Sequence, residues 1–157
     1  MAKTALLFAG QGAQVVGMGK DLTDKYPSAR ALFDRANKVL DYDLAQICFE
    51  GPEDALTQTE NAQPGIFLVS WVALKLLREK VHDLSFEATA GLSLGEFTAL
   101  TAAGVMSFED GLKIVRQRGR FMQEACEATD GGMAAITELC SRDVTDLQCC
   151  RRLCAPL

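Results

Sequence analysis

At 157 residues and 48% hydrophobic content, the chain has the length and apolar material for one domain with a sizeable core. Its net charge of -5 offers nothing to offset phosphate repulsion, so nucleic acid is not an expected partner. Apolar runs such as Ile66 to Val69 fall far short of the roughly 20 residues that cross a bilayer, so no membrane partner is expected.

Thr4 to Ala9 reads as a buried parallel strand that delivers the glycine-rich loop Gly10-Gln11-Gly12-Ala13-Gln14. No charged leader with a cleavage site stands ahead of it, and a cytoplasmic location is expected. Between Asp24 and Leu40 the residues Ala29, Leu32, Phe33, Ala36, Val39 and Leu40 recur at three and four, predicting an amphipathic helix with Pro27 in its first turn. Gly51-Pro52 punctuates the chain, and Gln63-Pro64 precedes a predicted apolar helix from Gly65 to Lys80, whose Trp71 is expected in the core. Phe86 to Ala90 then predicts a second strand, Gly91-Leu92-Ser93-Leu94-Gly95 a sharp turn, and Phe97 to Ala103 a buried helix closed by Gly104. Ser107 and Asp110 form an S-x-x-D box opening a further helix to about Ala125. Gly131-Gly132 breaks the chain, and Met133 to Ile136 is expected to begin another strand. Strands separated and followed by helices, with no internal repeat, predict an α/β layout.

Cys48 and Cys126 stand apart, whereas Cys140, Cys149, Cys150 and Cys154 crowd the end of the chain. Their spacing, without a nearby histidine, does not supply four convergent zinc ligands. Reduced thiols are expected, with no metal and no cofactor.

Gly-x-Ser-x-Gly has a mechanical rationale. A nucleophile at the apex of a tight strand-to-helix turn needs neighbours without bulk, and the turn aims backbone amides and the positive end of a helix at the serine. Leu94 N–H is the expected first donor to an oxyanion, and the loop Gly10-Gln11-Gly12, after the other strand, is placed to give a second. Read alone, the same serine motif is also a glycine-rich turn with a serine cap. The first loop also reads as a phosphate-binding turn, although Val15 stands where the third glycine of G-x-G-x-x-G would fall. Arg118 projects into the stripe formed by Gly111, Val115, Met122 and Ala125, where an unpaired guanidinium is costly. Its partner is a substrate carboxylate, an internal carboxylate, or water reached by snorkelling.

LLFAGQGAQ, ENAQP, GLSLGEFTAL and RQRGRFMQEA, in this order over roughly residues 4 to 136, resemble the malonyl-CoA:acyl carrier protein transacylases of fatty-acid and polyketide synthesis. The resemblance implies a hydrolase-like parallel-sheet core with flanking helices, interrupted by a ferredoxin-like subdomain. Residues 1–130 then correspond to the N-terminal part of the core, and 131–157 to the start of the subdomain and a divergent Cys/Arg-rich tail. The implied partners are malonyl-CoA and acyl carrier protein. The implied reaction is ping-pong transfer of malonyl through a malonyl-serine intermediate. By the same resemblance Ser93 is the nucleophile, the Gln11 and Leu94 amides form the oxyanion hole, Arg118 clamps the malonate carboxylate and Gln63 lines the pocket. Such a clamp prefers malonyl to acetyl, which would leave the charge unpaired. Leu92 departs from the histidine often found before the nucleophile.

The family's general base is a histidine well downstream of the serine, whereas the one histidine of this sequence, His82, lies upstream and reads as an exposed loop residue. The resemblance implies members close to twice this length, so the chain is expected to stop inside the insertion, to leave apolar faces uncovered and to lose most of its rate alone. The composition of 140–157 is what a changed reading frame near codon 140 produces, which resequencing would reveal. The start at Met1 points to a freestanding enzyme rather than a module of a polyketide synthase. Two other readings remain open: a serine esterase, and a noncatalytic fragment that binds an acyl carrier or a complementary chain.

Overall fold

The computed structural model describes residues 3–128. Two compact units divide the chain, Met1–Gln123 and Glu124–Leu157; of the second, residues 124–128 are described, helical to Glu127. The expected strand at Met133 to Ile136, the ferredoxin-like subdomain and the four tail cysteines lie outside the described residues.

The elements run β1 (Ala5–Phe8), α1 (Lys20–Lys25), α2 (Pro27–Leu40), α3 (Leu44–Glu50), α4 (Glu53–Thr57), α5 (Thr59–Lys80), β2 (Ala88–Gly91), α6 (Leu94–Ala102) and α7 (Phe108–Glu127). The expected α/β class is what the chain adopts. β1 and β2 pair in parallel, with Ala5 opposite Ala88 and Phe8 opposite Gly91. Parallel neighbours need a long crossover, supplied here by α1 to α5. Side chains alternate along each strand, so Leu6 and Phe8 pack against the core while Ala5, Leu7, Ala88 and Ala90 share an exposed face, with Leu7 79% accessible. Within the described residues the sheet is therefore covered on one side.

The core forms around α5, which packs against α2, α3, α4 and α6. Phe67 and Trp71 each stack on Phe108 at the start of α7, with ring centroids 5.9 Å apart; Trp71 is a core residue, as its surroundings predict. Ser107 caps α7: its hydroxyl accepts from Asp110 N–H at 3.1 Å and donates to the Asp110 carboxylate at 2.7 Å.

Three boundaries differ from the sequence reading. The helix predicted from Asp24 is split, because a residue before proline is pushed out of the helical region. Tyr26 is accordingly extended at φ -125, ψ 114, and Pro27 opens α2 as a separate helix. α5 begins at Thr59 rather than Gly65 and carries Pro64 inside it. The buried run Ala62 to Leu68 holds the helix through a residue that ordinarily breaks it. α6 begins at Leu94, directly after Ser93, instead of at Phe97. On α7 the buried stripe is Phe108, Gly111, Leu112, Val115 and Gly119, while Met122 is half-buried and Ala125 exposed. A Cβ on Gly119 would stand 2.5 Å from the Thr59 carbonyl oxygen. That close approach turns the stripe toward the start of α5.

Candidate active site

β1 and β2 run the same way, so the loop leaving β1 and the turn leaving β2 emerge at one edge of the sheet. Gln11 lies in the first and Ser93 in the second. The turn is fastened to β1 by Leu92 N–H, which donates to the Phe8 carbonyl at 3.3 Å, and closed on itself by Gly95 N–H to the Leu92 carbonyl at 2.9 Å. Both motif glycines are sterically required. A Cβ on Gly91 would lie 2.1 Å from the Gly95 carbonyl oxygen, and one on Gly95 2.3 Å from that of Phe8.

Squeezed between them, Ser93 takes φ 52 and ψ -99, a conformation that non-glycine residues rarely hold. This strain lifts the side chain clear of the sheet, and Ser93 is exposed while Leu94 beneath it is fully buried. Leu94 is the first residue of α6, so its N–H precedes the first intrahelical acceptor. Among the described residues, neither the Leu94 nor the Gln11 amide N–H has a backbone acceptor.

Arg118 reaches this edge from α7. Its Nη2 donates to Ser93 Oγ at 2.8 Å and its Nη1 to Gln63 Oε1 at 2.6 Å. The Phe97 ring lies under the guanidinium at 5.7 Å. Among the described residues no carboxylate pairs with Arg118.

Gln63 is fully buried. Besides accepting from Arg118, it donates through Nε2 to Gln11 Oε1 at 3.5 Å and to Met122 Sδ at 3.1 Å. The Gln11 amide group in turn donates to Thr59 Oγ1 at 3.4 Å, and Thr59 N–H donates to Gln123 at 3.4 Å. Ser93, Gln11, Leu94, Gln63 and Arg118, singled out from the sequence, therefore gather at one edge of the sheet. Sequence reading missed Thr59 and Phe97, and placed Met122 on the stripe around Arg118 without its contact to Gln63. Phe97 had a readable signal, four residues after Ser93 and so one helical turn along the same face; Thr59 had none, because the start of α5 was placed after it.

His82 is exposed just past the end of α5 and precedes β2, whereas Ser93 follows β2. The strand alone puts about 13 Å between those two edges at about 3.3 Å per residue. Among the described residues, the two groups with displaced titration, Tyr42 and Cys48, belong to the α2–α3 segment. Burial pushes the Cys48 thiol from its ordinary 9.0 up to about 12. Burial also raises the Tyr42 phenol above its usual range, against the pull of the Arg116 charge. Among the described residues no cluster of His, Cys, Asp or Glu is placed to hold a metal, and no helix is long and apolar enough to cross a membrane.

A serine held in strain at a strand-to-helix turn, with a helix amide below it and a guanidinium against it, is an arrangement that can support acyl transfer. The chain belongs to the acyl transferase domain family, whose model matches residues 5–156. It is 47% identical over 136 residues to a malonyl CoA-acyl carrier protein transacylase of Bacillus subtilis, a match that covers 87% of this chain and 42% of that protein. Its fold is similar to that of the Streptococcus pneumoniae enzyme of the same kind, with TM-score 0.74 and 48% identity over 78% of this chain and 39% of the other. It is also similar to a malonyl-transacylase solved in complex with a type II polyketide-synthase acyl-carrier protein, with TM-score 0.72 and 37% identity over 79% of this chain and 40% of that one. The chain thus spans less than half the length of these relatives.

Proposed function

We propose that this chain carries the acyl-recognising part of a malonyl-CoA:acyl carrier protein transacylase, with Ser93 as the residue that receives the malonyl group. The observation that carries the reading is Arg118, a half-buried cation bonded to the serine hydroxyl and paired with no carboxylate among the described residues. A carboxylated acyl thioester brings the missing anion to the place where its carbonyl meets Ser93. The Leu94 and Gln11 amides then receive the oxyanion, and Gln63 holds Arg118 in place.

In the first half-reaction Ser93 Oγ bonds to the thioester carbonyl carbon, the carbon–sulfur bond breaks, and the hydroxyl proton leaves with coenzyme A as its thiol. In the second, the phosphopantetheine thiol of acyl carrier protein takes the malonyl group and returns a proton to the serine. The relative solved with its acyl-carrier protein supports that partner. Neutral serine needs a base, and His82 stands beyond the opposite edge of the sheet. The base is therefore supplied from outside residues 3–128, and without it acylation is slow. Free thiols at Cys48 and Cys126 fit a reducing compartment, and we place the protein in the cytoplasm.

Intact-mass spectrometry after incubation with malonyl-CoA tests the assignment. The expected result is a gain of about 86 Da, the malonyl group on one serine, absent in Ser93→Ala and much weaker with acetyl-CoA. Hydrolysis of neutral esters without a malonyl adduct would make the protein an esterase. Neither activity would leave a noncatalytic acyl-carrier-binding fragment.

A further inference from the structure

Arg118 engages the nucleophile and an anchoring side chain at once. The Gln63 end is fixed: that residue is fully buried, and its amide nitrogen is committed to Gln11 and Met122. The Ser93 end is not fixed, because the serine is exposed and its hydroxyl turns about a single bond. In the ligand-free protein Ser93 Oγ accepts a charge-assisted hydrogen bond at 2.8 Å, which occupies one of its two lone pairs and draws electron density from the oxygen that must attack a carbonyl. An incoming carboxylate competes for the same guanidinium. It is charged where the hydroxyl is neutral, and it can take two N–H groups at once, so the partner it displaces is Ser93 and not Gln63.

We propose that Arg118 latches Ser93 in the ligand-free protein and that a carboxylate-bearing acyl group releases the serine by taking the guanidinium. A neutral acyl group leaves the latch closed. Selection for a carboxylated substrate then acts on the rate of acylation as well as on binding. The inference rests on the roles given above to Ser93 and Arg118. It opposes the simpler expectation that a cation beside a hydroxyl only assists attack by favouring the alkoxide.

The two views differ in the sign of one effect. The whole chain is treated with phenylmethylsulfonyl fluoride, a neutral probe that forms an Oγ–S bond as the S–F bond breaks, with fluoride and the hydroxyl proton passing to water. Labelling of Ser93 is followed by mass, with Ser93→Ala as the blank. Removing a charge-assisted hydrogen bond from an exposed acceptor is expected to make Arg118→Met label about tenfold faster than the wild type. Labelling of Arg118→Met that is slower than or equal to wild type, including no labelling of either, overturns the latch. If that variant does not fold, the wild type decides. Malonate should then accelerate its labelling and malonamide should not, and no acceleration by malonate refutes the proposal. A malonyl adduct at Ser93 without faster labelling of Arg118→Met removes the latch and leaves the transacylase reading intact, while the opposite pair of results removes that reading and keeps the latch.

Discussion

Replacing Gly119 by alanine perturbs the site through a contact with Thr59 and Glu60, away from Ser93 itself. The new Cβ would sit 2.5 Å from the Thr59 carbonyl oxygen and 2.8 Å from Glu60 Cα, both backbone atoms that cannot swing aside. Reaching the 3.4 Å of ordinary contact asks α7 to retreat from α5 by about 0.9 Å. Arg118 is the adjacent residue and moves with the helix. A shift of that size can carry its 2.8 Å bond to Ser93 out to as much as about 3.7 Å, beyond hydrogen-bonding reach. Overpacking of this kind costs about 1–3 kcal/mol, while alanine in place of a helix-interior glycine returns about 1 kcal/mol. The expected net is a loss of up to about 2 kcal/mol, read as a lowered urea midpoint. Gln117→Ala, at an exposed position of the same helix, controls for propensity and should stay within about 0.5 kcal/mol of wild type. Malonyl-adduct formation at Ser93 should fall by up to about 10²-fold in Gly119→Ala, the scale set by a displacement near 1 Å. A Gly119→Ala protein that is more stable than wild type and acylates at the same rate would refute the reasoning, because it would mean that α7 is free to sit away from Thr59.

Gln63→Leu should lower stability by about 1–3 kcal/mol in urea unfolding, since it leaves the Arg118 and Gln11 side chains without their buried partner. Thr98→Val should raise stability by about 1 kcal/mol in urea unfolding, because the buried Thr98 hydroxyl has no hydrogen-bond partner among the described residues. Stability should hold up to about pH 9 and decline as the pH rises toward 12. Cys48, with its thiol raised from 9.0 to about 12, and Tyr42, raised for the same reason, keep protons in the folded state that the unfolded chain gives up, so alkali favours unfolding. Urea titrations between pH 8 and 11 measure the decline, and Cys48→Ala should make it shallower.

The sequence was most legible where a local rule has few exceptions. Gly91 and Gly95 announced the turn because two backbones pass too closely there for any side chain, and the capping pair Ser107 and Asp110 located the start of α7 to the residue. Gln11 and Arg118 were found from the loop after a strand and from a charge on an apolar stripe. The start of α5 was illegible, because proline at residue 64 argues locally against a helix and only the burial of Ala62 to Leu68, a tertiary fact, overrides it. The error propagated: with α5 begun too late, Thr59 went unnoticed beside Gln11, and so did the reason for glycine at 119. α3 and α4 are too short for their periodicity to stand out. The bond from Arg118 to Ser93 could not be read either, since it depends on how α7 lies across the end of the sheet.

The conformation of Ser93 bears on how the domain ages in evolution. A turn with φ 52 and ψ -99 suits glycine better than serine, and relief of such strain is worth on the order of 1 kcal/mol or more. Ser93 is thus retained against the preference of its own backbone. In a lineage that no longer needs the chemistry, drift toward a more stable fold should erase residue 93 early, long before the flanking glycines that the turn itself requires. Under the proposed function, a serine still standing at this position would mark recent selection for acyl transfer.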